Sequence, residues 1–136
     1  MRNWRQILSA ADSLSALTIP GGAHHSFSSE FDAHKPVTLH GVVAKMEWIN
    51  PHTWLTIDVT QPDGTVVQWL IEGGAPNALR RRGFTKQSLL SGTPVVVQGF
   101  QAVDGSHTAN GVSLTLPDGR KLFMSSILDG SERQPK

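Results

Sequence analysis

Residues 36–72, PVTLHGVVAKMEWINPHTWLTIDVTQPDGTVVQWLIE, decide the fold. Val37 and Leu39 alternate in one phase and Val42, Ala44, Met46 and Trp48 in the other, with Gly41 between them. A phase slip at glycine is the mark of a bulge or sharp bend in one long strand, here beginning at Pro36. Asn50-Pro51-His52 interrupts the run, and Trp54, Leu55, Ile57 and Val59 open a second strand. Pro62-Asp63-Gly64 is turn chemistry, so Val66 to Glu72 is expected to pair back as a hairpin.

Beyond this stretch the pattern changes once and then returns. Pro76 suits a first helical position and Gly83 the residue just past a helix end, which predicts about two turns over Pro76–Arg82. A second short turn is expected around Lys86 to Leu89. Val95-Val96-Val97 opens a fourth strand that passes through Gly99 toward Asp104-Gly105, and Val112, Leu114 and Leu116 alternate in a fifth, ended by Pro117-Asp118-Gly119. Five strands, a bent first strand and one short helix between the third and fourth match the order of an all-β, OB-fold-like barrel. A five-stranded sandwich is the competing architecture.

Composition narrows the chemistry. The chain has 136 residues, six histidines, no cysteine and a formal charge of +1, with 38% hydrophobic and 17% charged residues. One domain of this size buries a core without crosslinks. The lack of cysteine excludes a disulfide scaffold, a thiolate zinc site, an iron–sulfur centre and a cysteine nucleophile. The near-neutral balance argues against a nucleic-acid binder. Arg2 and Arg5 precede an apolar stretch from Ile7 to Ile19 and then Gly21, Gly22 and Ala23, the order of a secretory leader, although Asp12 and several serines dilute its apolar part. The expected organisation is a leader over 1–23, an OB-like domain over 24–125 and a polar tail over 126–136. Without residues 1–23 the chain loses Arg2, Arg5 and Asp12 and becomes neutral.

The segments AHHSFSSEFDAHKPVTLHG, EWINPHTWLTIDV, EGGAPNALRRRGFT and ANGVSLTLPDGRKLF resemble a family of small exported bacterial proteins classified only as a domain of unknown function. His24, His25, Phe27, Asp32, Asn50, Pro51, His52, Trp54, Glu72 and Arg82 fall on its motif positions. The resemblance implies a leader cut just before the double histidine and a periplasmic or secreted protein, but carries no activity with it. Phe84 stands where the family pattern has tryptophan, and His34, His40 and His107 where relatives carry other polar residues.

His24, His25, His52 and Glu72 are the candidate metal ligands. A cut after Ala23 makes His24 the terminus, offering an amine and an imidazole, and His52 adds a third nitrogen; such a set suits Cu(II) or Ni(II), copper foremost. A cut after Gly22 instead puts His25 third from the terminus, where the amine, two amides and the ring form a square-planar set. Neighbouring rings point opposite ways in an extended chain, so His24 and His25 are not both expected on one ion. Binding requires a deprotonated amine and neutral rings and should weaken below about pH 7.

Asn50, Trp54 and Arg82 are candidates for a non-metal ligand or a protein partner, with Trp54 as a stacking face beside the loop between the first two strands. By phase, Trp48 and Trp69 belong to the core. Glu72, at a strand end before Gly73-Gly74, could equally satisfy the N-terminal amides of the following helix. Arg80-Arg81-Arg82, the one basic run, sits where cations favour a helix C-terminus. No complete catalytic constellation is present, so an enzyme is the least favoured class. No apolar run is long enough to span a membrane.

Overall fold

The computed structural model describes residues 27–125. A one-turn helix α1 (Phe27–Glu30) leads into β1 (Phe31–Glu47), followed by β2 (Trp54–Thr60), β3 (Val66–Glu72), helix α2 (Pro76–Arg81), a 3-10 turn (Lys86–Leu89), β4 (Pro94–Ala102), β5 (Thr108–Thr115) and β6 (Lys121–Phe123). The protein is mostly β, with its strands in a single sheet. β2, β3, β5 and β4 follow one another around β1; every ladder is antiparallel except β3 with β5, and β6 adds to β5.

The pairings form a staggered ring. From Glu47 of β1 the partners run through Trp54, Glu72, Asn110 and Phe100 and return to Pro36, far back along β1, rather than to Glu47. Such an offset inclines the strands to the axis of the ring. Inside lie Val43, Leu55, Ile57, Ile71, Val97 and Leu114, all almost fully buried. Trp69 is buried as its phase predicts, and Trp48 packs on the core half-buried.

The phase slip in β1 is not at Gly41. Val43 is 1% exposed and Val42 is 41% exposed, so the phase of Leu39 continues through Gly41 to Val43. The register breaks instead between Val43 and Lys45, at Ala44. Gly41 has another role: a Cβ there would lie 2.9 Å from the Asp58 carbonyl oxygen and against the Ile57 side chain, so the missing side chain lets β2 approach. β1 also starts five residues earlier than the alternation suggested, at Phe31 rather than Pro36, with irregular register between the two.

α2 begins with Pro76 at its first turn, buries Ala78 and Leu79, and ends before Gly83, whose φ of 95° is costly for any other residue. The 3-10 turn is held by a reciprocal cap between Thr85 and Ser88. Together these segments deliver Leu79, Phe84 and Leu89 to the core. Phe84 is 1% exposed, so the aromatic position is used for packing.

Candidate functional site

The loop between β1 and β2 contains a cis Asn50–Pro51 peptide and is tied down just beyond it. Thr53, fully buried, donates from both its backbone N–H (3.0 Å) and its hydroxyl (2.9 Å) to the Gly74 carbonyl, and its own carbonyl accepts from Gly73 N–H at 2.9 Å. Gly73 is required at this crossing, because a Cβ would stand 2.6 Å from the Thr53 hydroxyl oxygen. The chain segment after β6 seals the same place. Gly74 N–H donates to Met124 O at 2.7 Å, Met124 N–H to Val112 O at 3.0 Å, and Arg82 Nη1–H to Ser125 O at 3.0 Å. The Met124 side chain is fully buried against Gly73 and Gly111.

Stitching Thr53 to Gly73 and Gly74 brings its neighbour His52 onto Glu72. The His52 Nδ1 and Glu72 Oε1 atoms are 2.5 Å apart, with the histidine side chain 42% exposed and the glutamate side chain 5% exposed. Nδ1–H donates to the carboxylate, which leaves Nε2 as the ring nitrogen that Glu72 does not engage. A buried carboxylate behind an imidazole is the arrangement that orients a histidine for a ligand at its other nitrogen.

Glu72 also belongs to a row. Trp54, Glu72, Asn110 and Phe100 are successive partners on β2, β3, β5 and β4, and each alternates with an inward residue, Leu55, Ile71, Ala109 and Gly99. All four therefore share the outer face of the ring. Glu72 and Asn110 are nonetheless buried, whereas Trp54 and Phe100 are half-buried. Phe27 of α1 rests on the end of this row, its ring centroid 5.7 Å from that of Phe100 and 5.8 Å from that of Phe31.

Of the four metal-ligand candidates, the structure brings His52 and Glu72 together; His24 and His25 lie outside the described residues. Among the described residues no group of three or more histidine, aspartate or glutamate side chains could hold a metal ion. The residue at the N-cap of α2 is Ala75, and the Glu72 carboxylate contacts His52 Nδ1. Asn50 is exposed, Trp54 flanks Glu72 across the ladder, and Arg82 holds the Ser125 carbonyl.

Thr53, Asn110 and Met124 were missed as site residues. The signal for two of them is glycine: Gly73 and Gly111 stand where Thr53 and Met124 press against backbone, and a glycine inside a strand pattern marks such an approach. Away from this place, a groove of about 310 Å³ runs past His40, Asp58 and Thr60 and the apolar Val42, Pro94 and Leu116.

Fold and site together define a small, mostly β protein whose outer face carries one imidazole set on a buried carboxylate. Residues 12–112 match the family of unknown function DUF6152, and the chain belongs to that family. No curated protein and no solved structure matches it.

Proposed function

We propose that the ring is a five-stranded barrel of the OB type and that the protein is an exported, periplasmic binding protein for a transition metal, copper foremost. The metal is held by His52 Nε2 together with His24 or His25 at a processed N-terminus, and Glu72 acts behind His52 as its orienting group rather than as a ligand. The order of pairings around β1, with α2 between β3 and β4, supports the OB reading.

The observation that carries the metal reading is the outer row joined to the His52–Glu72 contact. Phe100 and Glu72 are two ladder steps apart, about 10 Å at the usual strand spacing. Phe27 sits on Phe100, and the two or three residues back to His25 and His24 span at most about 7–11 Å of chain. The terminal histidines are thus within reach of the imidazole that Glu72 orients. An amine and imidazoles, with no sulfur from cysteine, form the nitrogen-rich set that Cu(II) and Ni(II) favour.

The test is metal titration of the chain beginning at His24, in parallel with the chain retaining residues 1–23. The expected result is one equivalent of Cu(II) bound at neutral pH by the shorter form, with nitrogen hyperfine structure in its electron paramagnetic resonance spectrum. His52→Ala should weaken binding, and Glu72→Gln should weaken it about 10–100-fold, the usual effect of losing an orienting partner. No stoichiometric uptake, or affinity untouched by His52→Ala, overturns the proposal. The half-buried Trp54 beside Glu72 favours a second reading in that event: a non-metal ligand or protein partner held on Asn50, Trp54 and Arg82.

A further inference from the structure

The tip between β1 and α2 joins three chemistries that meet at a lipid headgroup. Trp48 lies at the end of β1, half-buried against the core, and the Arg80 guanidinium stands 5.5 Å from its ring centroid. Ile49 follows directly and is 50% exposed, although it is among the most apolar side chains in the loop. Arg80 and Arg81 close α2, and both are exposed. Arg80 also reaches Asn77 at 3.4 Å, while Glu47, next to Trp48 in the chain, is paired with Lys45 at 2.8 Å. Arg80 thus lies over the indole that precedes the exposed Ile49, Arg81 follows it at the exposed end of α2, and that carboxylate offsets neither.

We infer that Trp48, Ile49, Arg80 and Arg81 form a docking surface for an anionic phospholipid bilayer. Arginines take the headgroup phosphates, Ile49 enters the acyl boundary, and Trp48 sits at the level between them, as indole rings do at membrane interfaces. Charge complementarity selects the occupant: an apolar tip alone would bind neutral and anionic vesicles alike, whereas a tip with two arginines discriminates between them. Each basic residue at an anionic surface contributes about a fivefold gain in partition, so the pair gives roughly thirtyfold. The surface is separate from the His52–Glu72 pair, and the inference does not depend on metal binding.

The experiment is vesicle co-sedimentation of the full chain, and of the chain from His24, with phosphatidylglycerol–phosphatidylcholine vesicles and with pure phosphatidylcholine. Both forms should bind the anionic vesicles at low salt, release at high salt, and ignore the neutral ones. The Arg80→Ala/Arg81→Ala double variant should lose about thirtyfold in partition. Because removing Arg80 uncovers Trp48, Arg81→Glu and Ile49→Ser serve as variants at exposed positions, with near-ultraviolet circular dichroism to check that the tertiary fold is kept. Each should weaken binding with that spectrum unchanged. Equal binding to neutral vesicles, no binding to either, or binding that survives both Arg81→Glu and Ile49→Ser overturns the inference. Retention on polyaspartate without vesicle binding also overturns it, in favour of an acidic protein partner.

Discussion

Replacing Glu72 by glutamine keeps the shape of a side chain that is 5% exposed and removes the charge to which His52 Nδ1–H donates. A hydrogen bond to a charged group is worth about 1.5–3 kcal/mol and a neutral one about 1 kcal/mol, so the substitution should cost on the order of 1 kcal/mol. The figure belongs at the low end, because 42% of the His52 side chain faces water, which screens the pair. His52→Ala removes the bond from the other side and should cost about 1–2 kcal/mol. If the two act on one interaction, the double variant falls short of the sum by about 1 kcal/mol. Urea unfolding followed by tryptophan fluorescence reads these values, provided the four proteins share one denaturant slope. In thermal unfolding each kcal/mol corresponds to a shift of about 3–6 °C for a chain of this size. Additivity within about 0.3 kcal/mol would refute the reasoning, since two residues that do not share an interaction behave in that way. Nitrogen-detected magnetic resonance gives a second check: His52 should carry its proton on Nδ1 in the native chain and lose that preference in Glu72→Gln.

Gly111→Ala should destabilise by about 1–3 kcal/mol, because the new methyl would stand 2.6 Å from Met124 Sδ and 2.8 Å from Ile71 Cγ2; the same substitution in a Met124→Ala background should cost less, and equal costs in both would count against the packing described. Asp63, Asp104 and Asp118 each have a pKa held below the ordinary aspartate value, the first two chiefly by hydrogen bonds from the Thr65 and Ser106 side chains and the third by the Arg120 backbone N–H. A carboxylate with a lowered native pKa stabilises above its unfolded value and ceases to do so as pH falls through the native one, so stability should decline below about pH 4. Replacing all three by asparagine should flatten that acid limb in urea titrations, and an unchanged slope would remove these turns from the explanation.

Much of the ring was legible because its signals are local. β2 and β3 alternate strictly on either side of Pro62-Asp63-Gly64, and their ends fall where the alternation stops, at Trp54 and Glu72. α2 and the 3-10 turn were legible from Pro76, Gly83 and the Lys86–Leu89 spacing, with α2 ending one residue early. The misplaced bend in β1 shows what alternation cannot distinguish: a glycine can mark a slip in phase or a close neighbour, and at Gly41 the neighbour is Asp58, a ladder partner far along the chain. β6 escaped notice because three residues, Lys121–Phe123, carry no measurable period. His52 and Glu72 were both singled out, yet only the pairing of β2 with β3 and the crossing of Thr53 over Gly73 make them partners.

The ladder between β3 and β5 is the seam of the ring. It consists of Leu70, Ile71 and Glu72 against Thr108, Ala109 and Asn110, whereas β1 meets β4 along a far longer ladder. The chain between its two sides includes α2, the 3-10 turn and all of β4. Closing so long a loop for so few bonds is entropically unfavourable until the rest is in place. With three residue pairs the seam is the shortest ladder of the ring. Glu72 lies on it, whereas its contact with His52 is set by the β2–β3 ladder and the Thr53–Gly73 crossing, so an opening of the seam would bare the carboxylate without parting it from the imidazole.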